Sequence, residues 1–246
     1  MLEGRRRLAL LEQQLDPATF RHLTEIGVGP GWKCLDLGAG GGSVCDWLCD
    51  RVGKTGRVTA MDLDTRFVAA LPHANLESRE ENILDADIGE GTFDLVHTRW
   101  TLMHIAERDE VIPKLVSSLR PGGVLFLEEA DALPVRMVDQ TGFRAASLRV
   151  FEVIAPRGAN VDWAHTLPFA LARLGLHDMH AESLFPYFAG GSPLAEFWTI
   201  SWQRVVDGAA AAGADVSEWS RELAELSDAK RVFVGPMTVS VWATKA

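Results

Sequence analysis

From Cys34 to Ser43 the chain reads Cys-Leu-Asp-Leu-Gly-Ala-Gly-Gly-Gly-Ser, four glycines in ten residues. An apolar run leads into the glycines. Val44, Leu48 and Val52 follow at four-residue spacing, so a strand, a glycine turn and a helix start succeed one another. Glycines there let the backbone take positive φ and approach a ligand closely. The free N–H groups of the following helix can face a polar or anionic group. Gly38, Ala39, Gly40 and Ser43 are candidates for that contact. Asp36 stands two residues before Gly38, where it could brace the N–H groups of the turn and lie near an ammonium. Asp62, with Leu63 beside it, ends the next apolar run, where a carboxylate can accept both hydroxyls of a ribose. Further on, Asn82 offers an acceptor oxygen to an exocyclic amine, and the Ile83 N–H a donor to a ring nitrogen. Asp85 is the alternative to Asn82. His97-Thr98-Arg99 closes a later strand at the same edge. In that order the groups suit a nucleoside ligand.

The elements that must position these groups follow from the patterning. Residues 8–26 read as helical, with Leu8, Leu11 and Leu15 on one face and a restart at Asp16-Pro17, Asp16 as N-cap. Short strands are predicted to start at Arg57, Leu76, Phe93 and Val124. Helices are predicted over 43–51, 66–71 and 111–119, with another bearing Leu102, Met103 and Ile105. Strands alternating with helices imply parallel βαβ units. The remainder is mostly helical over 134–174, 194–212 and 219–226, with strands at His177–Phe188 and Met237–Ala243. The expected fold is α/β: a Rossmann-like, mostly parallel sheet of seven strands with an antiparallel last strand, plus a helical cap. One domain over 1–246 is expected. Its core is 30–131, with N-terminal helices in 1–28, a cap and substrate region in 132–232, and the last strand in 233–246.

A formal net charge of −10 argues against nucleic acid and anionic membranes as partners. No apolar run reaches the length of a membrane span, and the first residues lack the apolar stretch of a secretion signal. The three cysteines, Cys34, Cys45 and Cys49, are too few for a zinc site, so no metal is expected, and reduced thiols point to the cytoplasm.

Two ligand classes fit such a turn. A dinucleotide would want G-x-G-x-x-G, and Gly38-Ala39-Gly40-Gly41-Gly42-Ser43 lacks the last glycine. Asp36 favours instead a ligand with a cationic amino acid end. The run LDLGAGGGS, then Asp62, then FDLVHTRWTLMHI and LRPGGVLFLEE resembles the Rossmann-like S-adenosylmethionine-dependent methyltransferases, closely over about residues 10–131. The resemblance implies S-adenosylmethionine as cofactor and S-adenosylhomocysteine as product. It puts the glycine turn beside the methionine part, Asp62 on the ribose and Asn82, where the family usually has Asp, on the adenine amine. The N-terminal helix and late helical insert are similar to small-molecule methyltransferases of bacterial secondary metabolism.

Methyl transfer asks the protein for positioning, desolvation and sometimes a base. His104, Glu129 and Asp131 are the candidates for catalysis, with Arg99 pairing either the cofactor's carboxylate or Asp131. By strand alternation Glu129 and Asp131 point one way and Glu128 the other. Trp100, Trp163, Trp198, Trp202 and Trp219 suit a pocket for an apolar or aromatic small molecule. The acceptor atom stays open between oxygen, nitrogen and carbon. A nicotinamide oxidoreductase, a non-catalytic binding module and a macromolecular methyltransferase are the other readings. Caps of this kind can also pair into a homodimer.

Overall fold

A computed structural model describes residues 2–138 and 142–246. The apolar run before the glycine turn forms β1 (Lys33–Leu37), buried at every position after the first, as a strand covered on both faces must be. It is followed by α2 (Ser43–Val52) and β2 (Arg57–Asp62). Next come β3 (Leu76–Glu80), β4 (Phe93–Arg99), α3 (Arg108–Ser118) and β5 (Leu119–Asp131). The sheet is completed by β6 (His177–Leu184) and β9 (Met237–Thr244), in the order β3-β2-β1-β4-β5-β9-β6. β9 runs antiparallel to both β5 and β6, and the pairings from β3 across to β5 are parallel. The expected Rossmann-like sheet with its reversed last strand is what the chain forms.

Two cores sandwich the sheet. One face packs Leu35, Val96, Leu125 and Val241 against Leu115 of α3 and against α6 (Leu167–Arg173). The other packs Cys34, Val58 and Phe126 against Val44 and Leu48 of α2 and Leu23 of α1 (Leu2–Ile26). A third core holds the cap together: α5 (Phe143–Ile154), α7 (Pro193–Ala211) and α8 (Ser217–Ala224), with α4 (Leu133–Met137) contributing Val135. Leu10 of α1 and Met103 enter this cluster, so α1 bridges the sheet and the cap.

Five local expectations change. The helix does not restart at Asp16: α1 runs through Pro17, because Asp16 is drawn sideways by Arg99 and Ser43 instead of capping. Residues 66–71 give only a turn of 3-10 helix, Val68–Ala70, and the helix after β4 shrinks to another, Leu102–His104. The strand expected over His177–Phe188 splits at Pro186, which cannot donate to a ladder. Its second piece, β7 (Tyr187–Ala189), turns away to pair with β8 (Val232–Val234). Pro236 likewise separates β8 from β9 within the expected last strand.

Candidate active site

The turn after β1 is held by its neighbours. Gly38 N donates to the Met61 carbonyl at 2.7 Å, and Gly40 N to Asp62 Oδ2 at 2.9 Å. Gly38 has φ of +77°, and a Cβ there would lie 1.8 Å from Thr101 Oγ1, so only glycine lets the turn and the segment after β4 approach this closely. Between them opens a cavity of about 400 Å³. Gly38, Ala39, Gly40, Asp62, Leu63, Asn82 and Ile83 line one side. Arg99, Trp100, Thr101, His104 and Ile105 line the other, and Arg7, Leu8, Leu11 and Glu12 of α1 cover it.

The acidic groups end up differently from expectation. Asp36 does not brace the turn. It points into the sheet–α2 layer, where its register neighbour His97 places Nδ1 2.7 Å from Oδ1 and Cys45 Sγ lies 3.0 Å from Oδ2. Besides Asp62 on Gly40 N, the acid that reaches the glycine turn is Glu12, whose Oε1 accepts from Ser43 N at 3.4 Å. Burial raises its carboxyl above the usual range, against the pull of that N–H and of Arg5. Ser43 itself sits behind the turn, its Oγ 2.9 Å from Asp16 Oδ1. Thr98 is fully buried, away from the cavity.

Glu129 and Asp131 share a side of β5, as alternation requires, but neither reaches the cavity. Glu129 caps the 3-10 turn after β4, accepting from the N–H groups of Thr101 (3.3 Å), Leu102 (2.9 Å) and Met103 (3.1 Å). Burial pushes its carboxyl up to about 7 although those three donors pull it down. Asp131 binds Leu133 N at 2.9 Å and His165 N and Nδ1 at 3.0 and 2.8 Å, tying the start of the cap to β5. Arg99 lines the cavity, yet its guanidinium is committed to Asp16 (2.9 Å), Thr19 (3.0 Å) and Ser43 (3.3 Å), not to Asp131. Of the five tryptophans singled out, Trp100 alone lines the cavity; Trp163, Trp198 and Trp202 are buried in cores. Among the described residues no cluster of His, Cys, Asp and Glu could hold a metal ion, and no helix is long and apolar enough to cross a membrane.

Beneath the turn lies a buried charged chain. His97 Nδ1 faces Asp36, and its Nε2 faces Glu128 Oε2 at 3.3 Å. Burial alone would lower the imidazole, but the two carboxylates outweigh it and hold His97 up to about 9. A base raised in the folded state contributes stability that is complete below its unfolded value of 6.5 and is lost as pH rises through about 9. That loss should be on the order of 3 kcal/mol. Urea denaturation at pH 6 and pH 9.5 checks it. His97→Gln should flatten the difference, and an unchanged slope in the variant would contradict the assignment.

Residues 35–127 match the family described as a methyltransferase domain. They form a class I, Rossmann-like S-adenosylmethionine-dependent methyltransferase domain. The match ends four residues short of the end of β5 and does not extend over α1 or the cap. The chain is 31% identical over 118 residues to the ubiquinone/menaquinone biosynthesis C-methyltransferase UbiE of Hydrogenovibrio crunogenus, covering 44% of this chain and 46% of that protein. It is also 31% identical over 127 residues to a ubiquinone biosynthesis O-methyltransferase of Xanthomonas campestris, covering 49% and 52%. The chain therefore spans about half the length of the curated relatives it matches. A crystal structure of a putative methyltransferase from Bacillus halodurans superposes with a TM-score of 0.60 at 18% identity, over 92% of this chain and 97% of that one. At that identity the likeness is one of fold. The cofactor of the methyltransferase domain is S-adenosylmethionine.

The cavity fits that group. Each Asp62 oxygen accepts one backbone N–H, from Gly40 or Asp64, which leaves a lone pair on each for a ribose hydroxyl. Leu63 is 71% exposed on the cavity side, an apolar surface with no protein covering it. Asn82 Oδ1 accepts from Leu84 N at 3.1 Å and keeps a second lone pair, while Ile83 N–H carries no hydrogen bond among the described residues. The covering residues of α1 were not legible as site residues in the sequence. The signal available was the apolar spacing of Leu8, Leu11 and Leu15, which marks a packed face without saying on what.

Proposed function

We propose that the protein transfers a methyl group from S-adenosylmethionine to a small, largely apolar or aromatic metabolite. The observation that carries this reading is a single cavity in which the glycine turn, Asp62 and Asn82–Ile83 face Leu8, Leu11, Trp100 and Ile105. The first set supplies polar groups for a nucleoside. The second supplies an apolar wall for the acceptor, with one indole ring to stack on. Both C- and O-methyltransferases of quinone biosynthesis among the relatives support an acceptor of this size.

When bound, the cofactor supplies a methyl carbon on a sulfonium, so that the acceptor–carbon bond forms as the carbon–sulfur bond breaks and its electron pair returns to sulfur. The chain's own residues hold, orient and dry the reactants. Asp62 holds the ribose, Asn82 and Ile83 the adenine edge, and Leu63 its face. Gly38 and Ala39 would take the methionine part, and the Glu12 carboxylate beside the turn would pair with its ammonium. Arg99 holds Asp16 and Ser43 in place behind the turn, instead of binding the cofactor directly. His104 takes the acceptor's proton where the acceptor is a hydroxyl. Desolvation in the cavity wall and then the charge of Arg7 keep its imidazole below the ordinary range, in the form able to accept a proton.

Calorimetry with S-adenosylhomocysteine, together with mass-spectrometric detection of methylated product from a panel of phenols and quinols, tests the reading. No binding and no product would end it. His104→Ala should lower kcat with a hydroxyl acceptor by about 10²- to 10⁴-fold, with cofactor affinity within about twofold of the parent. The parent's kcat should rise with pH through a midpoint below 6.5. A variant with undiminished kcat would show that the reaction uses no base at this position.

A further inference from the structure

Arg7 has the charge environment of an unfilled binding group. Its side chain lines the cavity described above and also a neighbouring one of about 360 Å³ that reaches Asp64, Phe67 and Arg204. Its Nε is buried with no hydrogen-bond partner. Of the acids lining these two cavities, Glu12 is engaged with Ser43 N, Asp64 with Arg66 and Glu81 with Arg79, and Glu3, one turn earlier on α1, forms no ion pair with Arg7 among the described residues. Among the described residues the charge acting on Arg7 is that of Arg204, which repels it; burial and then this repulsion lower its guanidinium below the ordinary range. The guanidinium lies 5.9 Å from the ring centroid of Phe197, so it is held in place by an aromatic face instead of an acid. Phe197, Ser201 and Arg204 fall on one face of α7 at helical spacing, and Ser201 Oγ is a second buried polar atom without a partner.

A protein of net charge −10 has thus gathered two guanidiniums, unpaired among the described residues, in the neighbouring cavity that Arg7 joins to the site. Leaving a partly buried cation unpaired costs stability, and such costs concentrate where a ligand offsets them. A planar guanidinium matches a carboxylate through two parallel N–H···O bonds. On that side Leu8, Leu11, Trp100 and Ile105 give an apolar and aromatic surface, beside the polar groups of Glu12, Thr101 and His104.

We infer that Arg7, backed by Arg204, anchors a carboxylate carried by the methyl acceptor, so that the acceptor class is an aromatic or apolar carboxylic acid methylated at another of its atoms. The inference rests on the methyltransferase reading of the cavity. Its chemistry, a carboxylate on Arg7, could also come from the amino acid end of the cofactor, and the experiment separates the two.

The probes are 1-naphthoate and its neutral isostere 1-naphthamide, titrated into free protein and into protein saturated with S-adenosylhomocysteine. The parent should bind the naphthoate at least about tenfold more tightly than the amide, the equivalent of one charge-assisted hydrogen bond. Arg7→Met should abolish that preference, Arg7→Lys should keep part of it, and both should leave S-adenosylhomocysteine affinity unchanged. Arg204→Met, at an exposed position of α7, should lower the preference by a smaller factor and decides the matter if Arg7→Met does not fold. Absence of a preference in the parent, or its survival in Arg7→Met, overturns the proposal. So does a loss of S-adenosylhomocysteine binding in Arg7→Met with the naphthoate unaffected, which would assign Arg7 to the cofactor. If the parent does not bind S-adenosylhomocysteine at all, the methyltransferase reading fails, while the naphthoate preference of the free protein still decides on Arg7.

Discussion

Asp62→Ala should weaken S-adenosylhomocysteine binding by about 10²- to 10⁴-fold in calorimetry while the thermal midpoint falls by only a few degrees. The carboxylate has two tasks on two sets of lone pairs. One set holds the glycine turn and the following loop, through Gly40 N and Asp64 N at 2.9 and 3.1 Å. The other faces the cavity, where two charge-assisted bonds to ribose hydroxyls are worth about 1.5–3 kcal/mol each. The loop bonds lie in a partly exposed region, so losing them costs about 1–2 kcal/mol, a few degrees for a chain of this length. Asp62→Asn separates the tasks, because an amide oxygen can still accept from Gly40 N without the charge. Parent-like affinity in Asp62→Ala would remove the central support for the cofactor site.

The largest effect on folding should come from Glu128→Ala, with a loss of about 3–5 kcal/mol and a midpoint lower by roughly 10 °C in calorimetry. Glu128 is 2% exposed and joins three elements. Its Oε2 accepts from Thr19 of α1 at 2.6 Å and lies beside His97 of β4, and its Oε1 accepts from Ser240 of β9 at 2.9 Å. His22 of α1 stands 3.7 Å from the same carboxylate. Burial would raise the carboxyl, but His22 and His97, and then Arg99, hold it far below the usual carboxylate range. Truncation leaves the imidazolium of His97 with one carboxylate and the Ser240 hydroxyl without its acceptor, while Thr19 keeps the Leu15 carbonyl at 3.2 Å. Glu128→Gln keeps an acceptor oxygen and should lose less. A midpoint within 2 °C of the parent in Glu128→Ala would show that the buried chain contributes nothing net.

The glycine turn and Asp62 were legible in the sequence because their chemistry is local. An apolar run, a turn only glycine can make and a carboxylate at the next strand end define the geometry without knowledge of strand order. Alternation also placed Glu129 and Asp131 opposite Glu128 correctly. What could not be read was lateral: Asp36 meets His97 because β1 and β4 pair in that register, and Arg99 and Ser240 flank Glu128 on the neighbouring strands. Register between non-consecutive strands depends on packing partners far along the chain. Glu129 was misread for a different reason. An acid at the carboxyl end of a strand points equally well at a substrate or at the bare N–H groups of the next turn, and here three of them claimed it. The role of α1 depended on which part of the sheet it lay across. Thr19 and His22 settle that by docking its second half on Glu128, which leaves its first half over the cavity.

That arrangement has an evolutionary consequence. The nucleoside wall is built from strand ends that also hold the sheet together, so selection on folding and on cofactor use act on the same residues. The cover of the opposite wall, Arg7, Leu8 and Leu11, rides on the first turns of α1, outside residues 35–127 that match the family, whereas Trp100 and Ile105 of that wall lie inside them. Substitutions at Arg7, Leu8 or Leu11 can therefore accumulate without disturbing the inherited half, and a lineage carrying this scaffold can exchange one acceptor for another through a handful of changes in a single helix.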